Sequence, residues 1–515
     1  MNLSAGKWEK HGAIMLRGYL LESPAQLSGI NDVSALKTWL EQANGCFALV
    51  LQTPAYTVAA VDRIRSIPLF YDLLGNLADR SESIAPLHLS HLRQQDQTVF
   101  AEYLITGFVT GNQTLHPDIL QIPAGHMLIL KQGHTPELKA YYKYSHQEET
   151  DAPANSLVEN LDALHRQSAD RLIKSLNGRP AVIPLSGGWD SRLIAYLLKK
   201  AKYPAIYTFS YEAANNPESR ISQKVARYLN LPWFFIEHTH KSWYRAYFSP
   251  ERVAHYKYAM NATSSPHIQD WLAVRELKAK RLIPPDSVFI PGHTGDFLQS
   301  GHLSECYRTQ KVFSGDEVAR QILARHYHLW RLPRIDWEAR FESRVKQEIS
   351  LPVSLSAQDA ASLFEYWELQ ERQAKFIVNS VRVYEDMGYD WRLPLWDARL
   401  MEFWAKVPVS LRFQRRLWNL YQERYLPIPV PVFRNLGVPT RIRNKILRVA
   451  FGEITDTRYG RFAEYRNPLQ YASEKVDSYL VKDLSYPSFV KADCPIIRCD
   501  MNALQALRAI CELPR

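Results

Sequence analysis

Residues Ala181 to Lys200 read AVIPLSGGWDSRLIAYLLKK. The stretch opens on a short apolar run, Ala181 to Leu185, and passes through Ser186, Gly187, Gly188, Trp189, Asp190 and Ser191. From Arg192 onward, Leu193, Ile194, Leu197 and Leu198 recur at helical spacing. The order strand, glycine turn, helix predicts an anion site. Adjacent glycines let the backbone approach a charged group, and the helix start behind them points free N–H groups at it. Ser186 and Ser191 add hydroxyls. The GxxxxGK[ST] spacing of a Walker loop is absent. Pro184 is out of place in this scheme, because it removes a ladder donor from a strand that should be central.

Working outward, the chain behind the loop alternates. Ala205–Ser210, with Phe209 near its end, reads as strand, Glu218–Leu229 as helix, Trp233–Ile236 as strand and Ser287–Ile290 as a fourth strand. Such alternation predicts a parallel sheet covered on both faces, with ligands beyond the carboxyl ends of its strands. About one hundred residues after the loop, Phe289-Ile290-Pro291-Gly292-His293-Thr294-Gly295-Asp296-Phe297 again follows a strand. Two aspartates on neighbouring loops, Asp190 and Asp296, suit Mg²⁺, which takes one or two carboxylates and completes its shell with phosphates and water. An aspartate in a glycine loop also serves as a plain helix cap. From Val312 the pattern is mainly helical.

In front of the loop, residues 1 to about 145 are β-rich. Cys46–Gln52 and Tyr56–Val61 are strand-like runs parted by Thr53-Pro54-Ala55, a hairpin signal. His146–Ser156 is polar and reads as a linker, and Val158–Leu176 has helical spacing.

Composition bounds the rest. A chain of 515 residues holds about two to three domains. No run of about 18 apolar residues predicts a membrane span, and the start, MNLSAGKWEKHGAIML, has no signal-peptide pattern. A cytoplasmic enzyme is expected. The five cysteines are scattered without a CxxC pair, so neither a zinc ribbon nor a disulfide framework is expected. The net charge of +10 suits an anionic nucleotide or acidic substrate as well as nucleic acid, and no RNA-binding motif singles out the latter.

The SGGWDS loop resembles the SGGxDS pyrophosphate loop of the ATP-pyrophosphatase (PP-loop) enzymes, which cut a nucleotide between its α- and β-phosphates. Gly292 to Asp296 is similar to the second loop of asparagine synthetases, with His293 at an acid position. Asp390-Trp391-Arg392-Leu393-Pro394-Leu395-Trp396-Asp397 resembles their ExRxPFLD element. Gly45–Val50, Val61–Tyr71, Gly107–Leu115 and Ile122-Pro123-Ala124-Gly125-His126 resemble class II glutamine amidotransferase domains. The chain as a whole resembles the asparagine-synthetase-like family, whose relatives include β-lactam synthetase and the lasso-peptide macrocyclases.

The resemblance implies an α/β protein: a β-rich, Ntn-hydrolase-like (αββα) front domain over 1–145, and a doubly wound PP-loop domain with a helical C-terminal part over 157–515. It implies an ATP- and Mg²⁺-dependent ligase that activates a carboxylate as an acyl-adenylate and forms an amide of the kind made in asparagine biosynthesis. Leu185, Ser186, Gly187, Gly188, Asp190, Ser191, Phe209 and Gly292 would bind the nucleotide, and Asp190 and Asp296 the metal. His293, Asp390, Arg392 and Lys445 would serve the chemistry. His293 would orient or deprotonate the amine, a structural histidine being the alternative. Arg392 equally suits a helix end. The family's lysine after a Leu-Pro step is absent from Tyr425–Asn435; Arg434, Arg441, Arg443 and Lys445 are nearby, and Lys445 is the candidate substitute, a solvated basic helix face the alternative.

The front domain departs from its relatives at the start. Those glutaminases need a thiol on residue one with its own amine as base, whereas this chain begins Met1-Asn2-Leu3-Ser4. Cys46, inside a strand, reads as core. No glutaminase activity is expected, so the nitrogen should come from ammonia, a substrate amine or a separate ammonia-supplying partner; a homodimer stays open. Two other readings remain: a non-catalytic scaffold that keeps nucleotide binding, and a PP-loop transfer-RNA-modifying enzyme. The missing pair of catalytic cysteines weighs against the second.

Overall fold

The computed structural model describes residues 1–21, 24–148, 152–247, 249–327, 329, 337–430 and 509–510. In the front unit the Cys46 and Val58 runs pair as expected. Strand Gly45–Gln52 joins Thr57–Val61 in an antiparallel hairpin, inside a six-stranded sheet that also contains Glu9–His11, Ile14–Leu20, His126–Leu130 and Glu137–Ala140. Side chains alternate between its two faces. Phe47, Leu49 and Leu51 pack with Leu36 and Leu40 of helix Val33–Gln42 on one side. Cys46, Ala48 and Val50 enter the main core on the other. A small sheet, Leu77–Ala78, Phe70–Tyr71 and Leu120–Gln121, and helix Gln97–Thr106 complete the unit.

The turn at Asp62 that joins these layers is self-contained. Its buried carboxylate accepts N–H bonds from Phe47 (2.7 Å), Ile64 (2.8 Å) and Ser66 (3.2 Å), while burial pushes its pKa up to about 6. Cys46 is 2% exposed, its thiol raised by burial and in contact with Tyr19 Oη at 3.2 Å. Cys46 and Cys306 are free thiols; Cys494, Cys499 and Cys511 lie outside the described residues.

The second sheet is parallel throughout, in the spatial order Trp233–Glu237, Ile206–Glu212, Ala181–Pro184, Val288–Phe289, Asp390–Trp391. The chain starts at the central strand, winds outward through helices Asp190–Lys200 and Pro217–Tyr228, and then crosses to the other side. The reversal falls between Ala181–Pro184 and Val288–Phe289, and a crevice opens outside the carboxyl ends of strands at such a point.

Pro184 now has a reason. Leu185 N–H donates to Phe209 O at 2.8 Å, so by alternation the Pro184 nitrogen faces the other neighbour, whose strand ends at Phe289. No ladder donor is needed there.

The linker is tied down: His146 N–H donates to Ser362 Oγ (2.9 Å) and Gln147 N–H to Ala405 O (2.9 Å). Beyond the sheet, helices Gly315–His326, Trp337–Ile349 and Ala357–Glu368 form a separate apolar cluster. Ala357–Glu368 runs on into a π-helix, Leu369–Ile377. Among the described residues no helix is long and apolar enough to cross a membrane.

Candidate functional site

Two loops leave the sheet side by side at the reversal. The first, Ser186 to Trp189, is braced by its own hydroxyls: Ser186 N–H donates to Ser191 Oγ (3.1 Å) and Gly188 N–H to Ser186 Oγ (3.1 Å). Helix Asp190–Lys200 behind it has no side-chain cap at Trp189, which leaves its first N–H groups for an anion. Gly187 N–H donates to Glu218 Oε1 at 3.1 Å, so a carboxylate of this chain already sits at the loop.

The second loop presses on the first. A Cβ on Gly292 would lie 2.6 Å from Ser191 N, and one on Gly295 would lie 2.3 Å from Asp190 Oδ1. Neither has a left-handed backbone; at Gly292 the clash would be with backbone atoms and requires glycine, whereas at Gly295 it would be with the Asp190 carboxyl group. Thr294 does: its φ of 85° is uncommon for a β-branched residue, and its hydroxyl reaches Gln373 Oε1 at 3.4 Å.

The electrostatics separate the two aspartates. Burial and the nearby Asp296 charge raise the Asp190 pKa to about 7 against the opposing pull of Arg415. Asp190 Oδ1 is buried without a hydrogen-bond partner and has Arg415 Nη2 at 3.6 Å. Asp296 goes the other way, down to about 2, because His302 Nε2 lies 3.1 Å from Oδ2 and overcomes the cost of burial. His302 is bound on its other side by the fully buried Glu368; the two carboxylates lift its pKa to about 9, so it stands as a cation at neutral pH.

The sequence did not point to His302, Glu368 or Arg415. Arg415 leaves the loop before helix Arg416–Tyr425 with φ 60° and is held by Gln299 Oε1 at 2.7 Å. A pair of basic residues at a helix start was the available signal. His302 sits six residues beyond Asp296 in Leu298–Ser304, where no periodicity marks it.

The other expected residues fall as follows. Leu185 and Phe209 are core side chains, 1% and 0% exposed; Phe209 packs edge-on against Phe289 at 6.0 Å. Only their backbones border the loop. His293 is at the reversal, its Nε2 3.2 Å from Ser380 Oγ, and burial lowers its pKa to about 3.

Asp390 and Arg392 are not brought to this crevice. Asp390 is level with Val288 and, through it, Ala181 at the amino end of the sheet, and pairs with Arg179 at 2.6 Å. Arg392 closes the end of helix Ala154–Leu176 by donating to Ser175 O (3.1 Å) and Ser175 Oγ (3.2 Å), its guanidinium 4.3 Å from the centre of the Tyr19 ring. The helix-end alternative is the arrangement seen. Lys445, with Arg434, Arg441 and Arg443, lies outside the described residues.

Among the described residues no group of three or more metal-binding side chains forms a complete site. Asp190 and Asp296 are carboxylates of the kind Mg²⁺ takes in a shell shared with phosphates, but Asp190 Oδ1 already faces the Arg415 guanidinium at 3.6 Å.

This pairing of an anion loop with an amidotransferase-like sheet has a counterpart in known families. The asparagine synthase family model matches residues 161–475, and the glutamine amidotransferase domain model matches residues 34–142. The chain belongs to the asparagine synthase family.

Among solved structures it is similar to glutamine phosphoribosylpyrophosphate amidotransferase from B. subtilis in complex with ADP and GMP. The identity is 11%, the match covers 55% of this chain and 62% of that one, and the TM-score is 0.18. A second, described as the allosteric regulatory enzyme of purine biosynthesis, is also 11% identical, with 45% and 61% covered and a TM-score of 0.17. The chain thus spans about three fifths of the length of both. No curated protein matches it.

Proposed function

We propose that the protein is an ATP-dependent amide-forming ligase of the asparagine synthase type. The observation that carries this reading is the braced, uncapped Ser186–Asp190 turn at the sheet reversal, with the Gly292–Asp296 loop in contact with it. A carboxylate substrate attacks the α-phosphate of ATP to give an acyl-adenylate and pyrophosphate. A nitrogen nucleophile then displaces AMP. Ser186, Gly187, Gly188 and Ser191 hold phosphate oxygens, and Glu218 must leave Gly187 N–H as they arrive. Arg415 meets the negative charge that develops on the departing pyrophosphate, a part that does not depend on Lys445. Asp190 and Asp296 would hold Mg²⁺, which supplies charge neutralisation at the phosphates.

In this reading residues 1–145 are a degenerate amidotransferase-like domain of the αββα type and 157–515 the synthetase domain. The front domain is taken to lack glutaminase activity, and its buried Cys46 supports this. Nitrogen comes from ammonia, a substrate amine or an ammonia-supplying partner, in the cytoplasm. A scaffold that keeps nucleotide binding is the second reading, favoured by the Glu218 carboxylate that fills Gly187 N–H. ATP–pyrophosphate exchange across a panel of carboxylic acids separates the two. Exchange that depends on one acid supports the ligase; ATP binding without exchange for any acid supports the scaffold.

A further inference from the structure

The front unit meets the start of helix Ala398–Lys406 around a small cavity of about 10 Å³, room for one water-sized body. Asn44, Arg63 and Trp396 line it and are 1%, 7% and 4% exposed. Each carries one buried N–H group, at Nδ2, Nε and Nε1 in turn, with no hydrogen-bond partner among the described residues. The Asn44 amide is oriented by its other end, since Oδ1 accepts from Ala398 N–H at 3.0 Å. The rest of the Arg63 guanidinium is engaged: Nη1 donates to Glu402 Oε1 (3.0 Å) and Nη2 to Glu41 O (2.7 Å).

The side chains of the wall offer no free acceptor in exchange. Asn44 Oδ1 holds Ala398 N–H, the Asp62 carboxylate holds the N–H groups of Phe47, Ile64 and Ser66, and Tyr141 Oη is bound to Val61 O at 2.7 Å. A water would satisfy two of the three donors and would have two protons of its own to place. A monatomic anion takes all three N–H groups and brings no proton.

Charge permits such an ion. Asp62 is the near negative group, but its oxygens face the N–H groups just named. Arg63 pairs with Glu402, and Glu402 also holds Arg399 at 3.0 Å, so two guanidiniums offset the two carboxylates around the cavity. Size excludes phosphate and organic carboxylates, which leaves a halide.

We propose that this cavity binds one chloride ion through the N–H groups of Asn44, Arg63 and Trp396. Asn44 and Arg63 come from the front unit and Trp396 from the segment before helix Ala398–Lys406, so the ion fastens one to the other. Trp396 also packs on Phe297 at 6.0 Å, next to Asp296, so the fastening braces the second loop from behind. The site does not depend on the amide-forming reading.

The test compares thermal melts of the full chain in sodium chloride and in sodium gluconate at equal ionic strength. Tm should rise saturably with chloride, by about 2 °C at physiological salt, and stay flat with gluconate, which is too large for the cavity. An equal rise in both salts, or none in either, overturns the proposal. Trp396→Phe keeps an aromatic ring and removes one N–H, and should raise the chloride midpoint about tenfold, the worth of one hydrogen bond to a charged group; an unchanged midpoint also overturns it. In crystals soaked in sodium bromide, an anomalous peak is expected between Asn44, Arg63 and Trp396. A cavity without anomalous signal overturns the assignment, even where Trp396→Phe fails to fold.

Discussion

Gly292→Ala tests whether the two loops act as one site. The added Cβ would meet Ser191 N at 2.6 Å and Asp190 C and Ser191 Cα at 3.1 Å, all of them backbone, so no side chain can turn aside. To reach ordinary contact the loops must part by roughly 0.8 Å. Overpacking of this kind costs about 1–3 kcal/mol, which lowers Tm by a few degrees. The functional loss should be larger, since a displacement of about 1 Å at a reacting centre costs on the order of a hundredfold in rate. Gly29→Ala is the control: a Cβ there meets nothing within 4 Å, and its stability should stay within about 0.5 kcal/mol. Calorimetric titration with Mg-ATP and a thermal melt read the two effects. If Gly292→Ala binds and turns over ATP as the wild type does, the loops do not share a ligand and the site is misplaced.

Arg415→Met should weaken pyrophosphate and ATP binding by about ten- to a hundredfold, the worth of a charged hydrogen bond, with little change in Tm; inhibition by pyrophosphate measures it. Asp190 has its native pKa raised to about 7 against about 3.9 in an unfolded chain. The native state therefore holds the proton longer, and this residue's contribution to stability falls as pH rises from about 4 to 7. Thermal melts at pH 5 and pH 8 should show Asp190→Asn gaining on the wild type at the higher pH; an unchanged difference contradicts the assignment. Arg392→Met should lower stability by about 1–3 kcal/mol through lost hydrogen bonds and leave ATP affinity unchanged, since Arg392 closes a helix end. A loss of ATP affinity at constant stability would return it to the site.

The fold was legible where local chemistry repeats along the chain. The Ala181–Lys200 turn, its parallel neighbours and the Gly45–Val61 hairpin follow from periodicity and punctuation. The fifth strand, Asp390–Trp391, is two residues long and has no period to read. Motif order placed Asp390 and Arg392 in the site; strand register sets Asp390 level with Val288 at the amino end of the sheet, and the Arg392 side chain turns to Ser175 at a helix end, neither of which spacing along the chain encodes. The π-helix at Leu369–Ile377 has the same apolar spacing as an α-helix, so its extra residue per turn was invisible. His302, Glu368 and Arg415 meet Asp296 and Asp190 only through tertiary packing. His293 Nε2 lies 3.2 Å from the hydroxyl of Ser380, 87 residues further on, a contact that spacing along the chain does not encode.

The most direct measurement supplies the carboxylate substrate with ¹⁸O in its carboxyl group, together with ATP, Mg²⁺ and ammonia, and follows the label by mass spectrometry. An acyl-adenylate passes one carboxyl oxygen to the nucleotide, so the account predicts AMP with a single ¹⁸O and unlabelled pyrophosphate. Label in inorganic phosphate with ADP as the nucleotide product, or unlabelled AMP beside the amide, would contradict it.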